Sequence, residues 1–78
     1  MESYEFDYEL IRESEFFGIK KYKDAVFKGE IQDKKRNGKG VIVYNNGRLY
    51  EGDWKDDKRD GRGYERFANG HVYHGEYK

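Results

Sequence analysis

Short apolar runs alternate with polar turns over most of the chain. Residues 41–44 form a β-branched and aromatic run, residues 45–47 read Asn-Asn-Gly, and residues 49–54 alternate in side-chain type. An apolar run, an Asn-Gly turn and an alternating run together predict a β-hairpin. Residues 55–61 are polar up to a final glycine, so we expect a longer, solvent-exposed reversal between one hairpin and the next.

A glycine lies between two aromatic residues in the second strand of this hairpin. Successive strand residues point to opposite faces, so Tyr50, Gly52 and Trp54 share one face while Glu51 and Asp53 share the other. Because it has no side chain, Gly52 leaves a slot in which a neighbouring ring can pack. We expect Gly52→Val to overpack this slot and to cost about 1–3 kcal/mol or more.

The pattern recurs with a period of 23 residues (50 − 27 and 73 − 50). Residues 27–31 read Phe-Lys-Gly-Glu-Ile, residues 50–54 read Tyr-Glu-Gly-Asp-Trp, and residues 73–77 read Tyr-His-Gly-Glu-Tyr. Asn-Gly-Lys-Gly at 37–40 likewise returns as Asp-Gly-Arg-Gly at 60–63. A period of this length indicates stacked modules, each too small to bury its own apolar face.

The repeated unit resembles the MORN repeat. The resemblance rests on the order aromatic-x-Gly-acidic-aromatic, then G-x-G, then an Asn-Gly turn. It divides the chain into a degenerate N-terminal capping repeat at 1–26, full repeats at 27–49 and 50–72, and a partial repeat at 73–78. It implies an all-β fold, an elongated antiparallel meander of stacked β-hairpins.

The first 26 residues follow the pattern less faithfully than the rest. Tyr4, Phe6, Tyr8 and Leu10 alternate with polar residues, which favours a strand over the alternative of a short amphipathic helix across residues 8–17. Phe6 stands where the full repeats have glycine. A terminal repeat is expected to be atypical because one of its sides has no neighbouring repeat.

Composition narrows the class of protein. The 78 residues are 41% charged and 35% hydrophobic, but 18% are aromatic, which is more than a disordered chain usually has. The chain has no cysteine, so disulfides and cysteine-ligated zinc are excluded. Net charge is formally zero, yet residues 1–17 hold six acids and one base, a local charge of −5. We expect a cytoplasmic protein, since no signal or membrane-spanning run is evident.

Residues suited to catalysis or metal binding are sparse. His71 and His74 are three apart and therefore on opposite faces of a strand, so they cannot jointly hold a metal without distortion. A sheet of Gly-rich hairpins offers shallow grooves rather than a desolvated pocket. We predict a protein that is not an enzyme, has no cofactor and no metal, and, at zero net charge, does not bind nucleic acid.

Three surfaces are candidates for binding a partner. The first is the aromatic and Gly-lined face, with the anchors Tyr44, Tyr50, Trp54, Tyr64, Phe67, Tyr73 and Tyr77. The second is a basic ridge that the 23-residue period would stack along one edge, formed by Lys34, Lys35, Arg36, Lys58 and Arg59. The third is the C-terminal strand, whose free edge could pair with another chain.

The resemblance to MORN proteins implies a function built on these surfaces. It implies a protein–protein interaction scaffold within a cytoskeletal, ciliary or membrane-junction assembly, contacting its partner through the aromatic face. The alternatives are a peripheral module that binds anionic lipid through the basic ridge, and a targeting segment of a larger enzyme. Self-association through the C-terminal edge is a further expectation.

Overall fold

The computed structural model describes residues 7–77 and consists of one short helix followed by six strands. The elements are α1 (Tyr8–Arg12), β1 (Phe17–Lys21), β2 (Ala25–Gln32), β3 (Lys35–Tyr44), β4 (Leu49–Lys55), β5 (Lys58–Arg66) and β6 (Val72–Tyr77). The strands pair antiparallel in chain order, β1 to β6, in a single sheet. This confirms the predicted all-β meander of hairpins.

Tight turns join most of the strands. Gly47 has a φ of 93° in the predicted Asn-Gly turn, and its N–H donates to the Tyr44 carbonyl at 3.0 Å. The turn between β4 and β5 contains only Asp56 and Asp57, with φ of 49° and 69°. Two successive residues with positive φ are typical of a type I′ turn, which matches the twist of the strands.

The expected long reversal over residues 55–61 is therefore wrong. Aspartate tolerates the left-handed region better than most residues, so two aspartates suffice for the turn, and the polar residues after them continue as strand β5. The turn between β2 and β3 is of the same kind, with Asp33 and Lys34 at φ of 54° and 66°.

The strongest regularity of the sheet is a row of glycines that crosses every strand at one level. Each glycine of the row is paired with the next across the ladder. An aromatic ring lies over the row in each repeat: a Cβ added at Gly63 would lie 2.5 Å from the ring of Tyr50, and one added at Gly40 would overlap Phe27. The predicted glycine slot is confirmed. The row consists of Gly18, Gly29, Gly40, Gly52, Gly63 and Gly75.

The aromatic side chains form a continuous series of edge-to-face contacts on this face. Ring centroids are 5.2 Å apart for Phe27 and Trp54, 5.1 Å for Trp54 and Tyr50, 5.0 Å for Tyr50 and Tyr77, and 5.6 Å for Tyr77 and Tyr73. Phe27 and Tyr50 are fully buried. Edge-to-face packing adds about 0.5–1.5 kcal/mol per pair to the burial of the rings. The core is therefore shared between repeats rather than contained in any one of them.

In β2 and β4 the acidic residue after the glycine lies at a β-bulge. The ladder register shifts between Gly29 and Ile31 and again at the equivalent place in β4. At the first bulge Glu30 Oε1 accepts a 2.8 Å hydrogen bond from the Lys39 N–H, and at the second Asp53 Oδ2 accepts one of 3.1 Å from the Arg62 N–H. The acidic position of the repeat thus satisfies a backbone donor that the bulge leaves out of the ladder.

The preference for a strand at the start of the chain is wrong where the structure can be compared. Residues Tyr8–Arg12 are helical, with Asp7 accepting a 3.2 Å hydrogen bond from the Leu10 N–H as the N-cap. Ile11 is buried, and the helix packs on β2 and β3. The alternating pattern was misleading because the apolar side chain that anchors the helix is Ile11, at i+3 from Tyr8. Tyr4 and Phe6 lie outside the described residues.

The expected elongation is not reached at this length. The described part measures 32 × 31 × 24 Å. Six strands spaced by about 4.8 Å span about 24 Å, whereas a strand of ten residues is about 33 Å long, so the sheet is no wider than its strands are long. Elongation needs more repeats than this part of the chain contains.

Candidate interaction site on the aromatic face

Arg36 is fixed above the rings of the glycine-lined face. Its guanidinium carbon lies 4.5 Å from the centroid of Trp54, a cation–π distance, while Nε donates to Asp57 Oδ1 at 3.1 Å. A terminal nitrogen also donates to the Asp57 carbonyl at 2.7 Å. The side chain is only 18% exposed, so its charge is largely committed within the protein.

Asp57 also forms hydrogen bonds with the backbone of Arg36, in the preceding repeat. Its carboxylate accepts a 2.8 Å hydrogen bond from the Arg36 N–H, and its own N–H donates to the Arg36 carbonyl at 3.0 Å. The hydrogen bond from the Arg36 backbone is the main reason that the pKa of Asp57 is below its ordinary value. The type I′ turn of one repeat is therefore anchored to the start of β3 in the other.

Arg59 repeats the position of Arg36 one period later but has a different acceptor. It lies 4.8 Å from the centroid of Tyr50, and NH1 donates to Glu65 Oε1 at 3.1 Å. Glu65 is 3% exposed and also accepts hydrogen bonds from Arg48 Nε at 2.6 Å and from the Tyr77 hydroxyl at 3.0 Å. A buried carboxylate thus joins two arginines and a tyrosine.

Glu65 occupies the place that Ile42 has in the preceding repeat, 23 residues earlier. Burial raises the pKa of Glu65, but the hydrogen bonds from Arg48 and Tyr77 and the charges of the two arginines outweigh burial and hold the pKa below its ordinary value. Burial and the hydrogen bond to Glu65 in turn raise the pKa of Tyr77. The core therefore changes from aliphatic to ionic between the two repeats.

A groove of about 380 Å³ opens on this face above the two arginines. Aromatic rings and cationic side chains line it, with one carboxylate among them. This combination suits an extended segment with acidic and apolar groups, because cations and rings are offered side by side. The lining consists of Arg36, Tyr44, Trp54, Asp57, Lys58, Arg59 and Tyr77.

The family model of the MORN repeat matches residues 27–47 and 50–72, which is 21 and 23 residues, or 44 of 78. The chain belongs to the MORN repeat family. MORN repeats generally act as non-catalytic modules in protein and membrane interactions. Comparison with curated proteins gave no significant match.

Six of the seven predicted anchors fall into three groups. Tyr50 and Trp54 are 0% and 5% exposed and hold the repeats together, so neither ring is available as a surface anchor. Tyr44 and Tyr77 are half-buried and line the groove, while Phe67 and Tyr73 are exposed.

Tyr64, the seventh predicted anchor, is not on the glycine-lined face. It pairs with Glu51 and His74 across the ladder and therefore belongs to the opposite side of the sheet. The assignment was wrong because Gly63 occupies the glycine-lined face, so the next residue in the strand must point the other way.

The basic ridge predicted along the MORN repeats is split by the structure. Arg36 and Arg59 do recur one above the other, but both turn inward onto rings and carboxylates. Lys34, Lys35 and Lys58 are exposed. The exposed cations are thus fewer than the sequence suggested.

No three His, Cys, Asp or Glu side chains of residues 7–77 gather as a metal site would require. Within the same residues, no helix reaches the length and apolar character that a membrane crossing demands.

A depression of about 510 Å³ lies beside α1, on the face of the sheet opposite the glycine row. It is lined by Tyr8, Val26, Lys28, Val41, Val43, Tyr44 and Asn45.

The ionic cluster around Glu65 was missed by sequence reasoning, although a signal for it exists. An acidic residue stands at a core position of one repeat where the other has isoleucine, and arginines recur at 36 and 59 with the full period. An acid at a core position next to a periodic arginine indicates a buried ion pair rather than a solvated charge.

Proposed function

We propose that this MORN protein is a non-enzymatic interaction scaffold that binds an extended acidic segment of a partner protein in the groove of the aromatic face. The groove supports this because one exposed cation, Lys58, and partly exposed rings lie side by side there. The floor is rigid, since Trp54 is held by rings on two sides and its Nε1 donates to the Gly40 carbonyl at 3.1 Å. A rigid floor reduces the entropy lost on binding.

Lys58 is the residue we assign to the first contact with an acidic partner. Arg36 and Arg59 already satisfy carboxylates of the protein, and their side chains are only 18% and 22% exposed. Lys58 lines the same groove and is exposed, so its ammonium group can reach an incoming carboxylate without breaking an internal ion pair. We further propose that the protein acts in the cytoplasm, within a cytoskeletal, ciliary or membrane-junction assembly.

A matched pair of charge reversals tests the groove. Lys55 and Lys58 face each other across one turn and both are exposed, but only Lys58 lines the groove. In quantitative pull-downs from a native lysate, Lys58→Glu should lose partners that wild type and Lys55→Glu retain. Equal recovery with the two variants would contradict the groove as the binding site.

Vesicle co-sedimentation separates this proposal from lipid binding. A scaffold that binds protein should stay in the supernatant with neutral and with anionic vesicles. Sedimentation with anionic vesicles alone, reduced more by Lys58→Glu than by Lys55→Glu, would instead favour a peripheral membrane contact through the basic ridge, to which Lys58 belongs and Lys55 does not.

A further inference from the structure

The two outer strands of the sheet are of complementary kinds. β1 and β6 each pair with one strand only among the described residues. β1 pairs with β2 in the register that β3 uses with β4, Gly18 opposite Gly29 as Gly40 is opposite Gly52. β1 therefore takes the place of a G-x-G strand, whereas β6 is an aromatic-x-Gly strand. Inside the sheet these two kinds alternate without exception.

The ring and glycine contacts are also incomplete at both edges in a complementary way. Phe27 covers Gly29 and Gly40, and Tyr50 covers Gly52 and Gly63, so each ring lies on its own strand's glycine and on the next strand's. Both rings are fully buried, whereas Tyr73 covers only Gly75 and is 46% exposed.

Gly18 is the counterpart of this half-covered ring. Among the described residues, the atoms nearest to a Cβ added at Gly18 belong to Ile31, not to an aromatic ring. The Tyr73 ring thus covers one glycine instead of two, and Gly18 is covered by the flexible side chain of Ile31 instead of a ring.

At each edge, every second residue turns its backbone N–H and C=O groups outward, away from the sheet. The Tyr22 N–H donates to the Ala25 carbonyl, so by alternation Gly18 and Lys20 bond to β2, and Ile19 and Lys21 turn their backbone groups outward. The Phe67 N–H donates to the His71 carbonyl, so Val72 and His74 turn theirs outward from β6.

Continuing the register of β4 and β5 across the two edges would place Gly75 opposite Gly18. His74 then meets Ile19, and Val72 meets Lys21. These are the residues whose backbone donors and acceptors point outward on both sides. The glycine row would continue from one molecule into the next.

Side-chain chemistry agrees with this pairing. Among residues 7–77, six of the eight exposed large hydrophobic residues lie at or beside the two edges: Phe16, Ile19 and Tyr22 at one, and Phe67, Val72 and Tyr73 at the other. Among described residues β1 carries two lysines and no acid, and β6 carries one glutamate and no Lys or Arg. Exposed apolar residues and opposite charge at two unpaired edges favour contact between them.

We propose that β6 of one molecule pairs with β1 of a second copy, head to tail. The edge of β6 lies next to the groove, to which the same strand contributes Tyr77. The inference rests on the proposed function only in treating the chain as an interaction module. A head-to-tail contact leaves one edge free at each end, so the assembly grows as an open chain rather than closing as a dimer.

Sedimentation equilibrium over a wide range of concentration is the first test. The mass should rise with concentration beyond twice the 9.4 kDa of one chain, without a plateau at the dimer. A single species of 9.4 kDa at all concentrations would overturn the proposal, as would a plateau at the dimer.

Proline substitutions identify the edges. Ile19→Pro removes an outward N–H from β1, and His74→Pro removes one from β6, where proline is tolerated because the strand's own ladder does not use that donor. Each variant alone should be monomeric. Their mixture should form a dimer and nothing larger, since each variant keeps one intact edge.

Retained self-association of either proline variant alone would contradict head-to-tail pairing, because it would show that one kind of edge pairs with itself. Thermal unfolding checks that both variants fold. If either does not, a second pair keeps the test decisive: Ile19→Lys with His74→Lys places like charges opposite each other and should abolish association, and Ile19→Lys with His74→Glu should restore it. No difference between these two double variants would overturn the register.

Discussion

Gly52→Ala tests whether the glycine row holds the sheet together. A Cβ at this position would lie 2.5 Å from both the Arg62 carbonyl oxygen and the Gly63 Cα, whereas ordinary contacts begin at 3.4 Å. Both obstacles are backbone atoms, so β4 and β5 would have to separate by about 0.9 Å (3.4 − 2.5) at the middle of their ladder. Side-chain repacking cannot supply that movement, because the residues are paired across the ladder.

The cost expected for such overpacking is about 1–3 kcal/mol. A domain of this size has a total stability of about 4–12 kcal/mol, so the loss is a large fraction of it. Since each kcal/mol shifts the midpoint of thermal unfolding by about 4–8 °C in a small domain, Gly52→Ala should unfold about 4–24 °C below wild type. Thermal unfolding followed by circular dichroism at low protein concentration measures this shift.

Gly18→Ala is the matched control, because it makes the same change in the same row. The nearest atom to its added Cβ is Ile31 Cδ1 at 2.9 Å, the end of a flexible side chain that can rotate away. Its midpoint should remain close to that of wild type. Equal midpoints for Gly52→Ala and wild type, or equal losses in the two variants, would refute the argument that backbone approach at the row limits side-chain size.

Three further substitutions, with Tyr73→Phe as a control, test the contacts of the aromatic face. Glu65→Gln should cost about 1.5–3 kcal/mol of unfolding free energy at neutral pH. Because folding lowers the pKa of Glu65, the carboxylate stabilises the fold above its unfolded pKa of about 4.3, and this stabilisation is lost as the pH falls through the folded pKa. In urea unfolding, the stability of wild type should therefore fall more steeply with acid than that of the variant. Arg36→Lys should cost about 1–2 kcal/mol in the same assay, since an ammonium group cannot both stack on Trp54 and replace the two side-chain hydrogen bonds to Asp57. An unchanged urea midpoint would argue against the cation–π contact. Tyr77→Phe should cost about 0.5–1.5 kcal/mol because it removes the hydroxyl that donates to Glu65. The hydroxyl of Tyr73 makes only a 3.4 Å contact, so Tyr73→Phe should be nearly neutral. A larger loss of stability in Tyr73→Phe than in Tyr77→Phe would contradict the role given to the Glu65 cluster.

The features that the sequence predicted are those that depend on local periodicity. The 23-residue period, the Asn-Gly turn at Gly47 and the shared face of Tyr50, Gly52 and Trp54 are all present in the structure. Each follows from strand alternation or from the conformational freedom of glycine, and both are properties of a few neighbouring residues.

The features that were missed depend on tertiary contacts. The helix at Tyr8–Arg12 forms because Ile11 packs on the sheet. The alternation of apolar and polar residues in the sequence does not show that contact. Arg36 and Arg59 looked like surface charges because their partners, Asp57 and Glu65, are distant in the chain or at a core position. The division of the chain into a capping repeat at 1–26 and a partial repeat at 73–78 stays a prediction.

The glycine row also restricts how a gene for this protein can change length. A single residue inserted before the glycine of a strand, unless a β-bulge absorbs it, would turn the later side chains of that strand to the wrong side and move its glycine out of the row. Two whole strands, which make up one period, must therefore be gained or lost together if the glycine row is to stay continuous. Tandem duplication of a complete unit lengthens the array and leaves every ring a glycine to rest on.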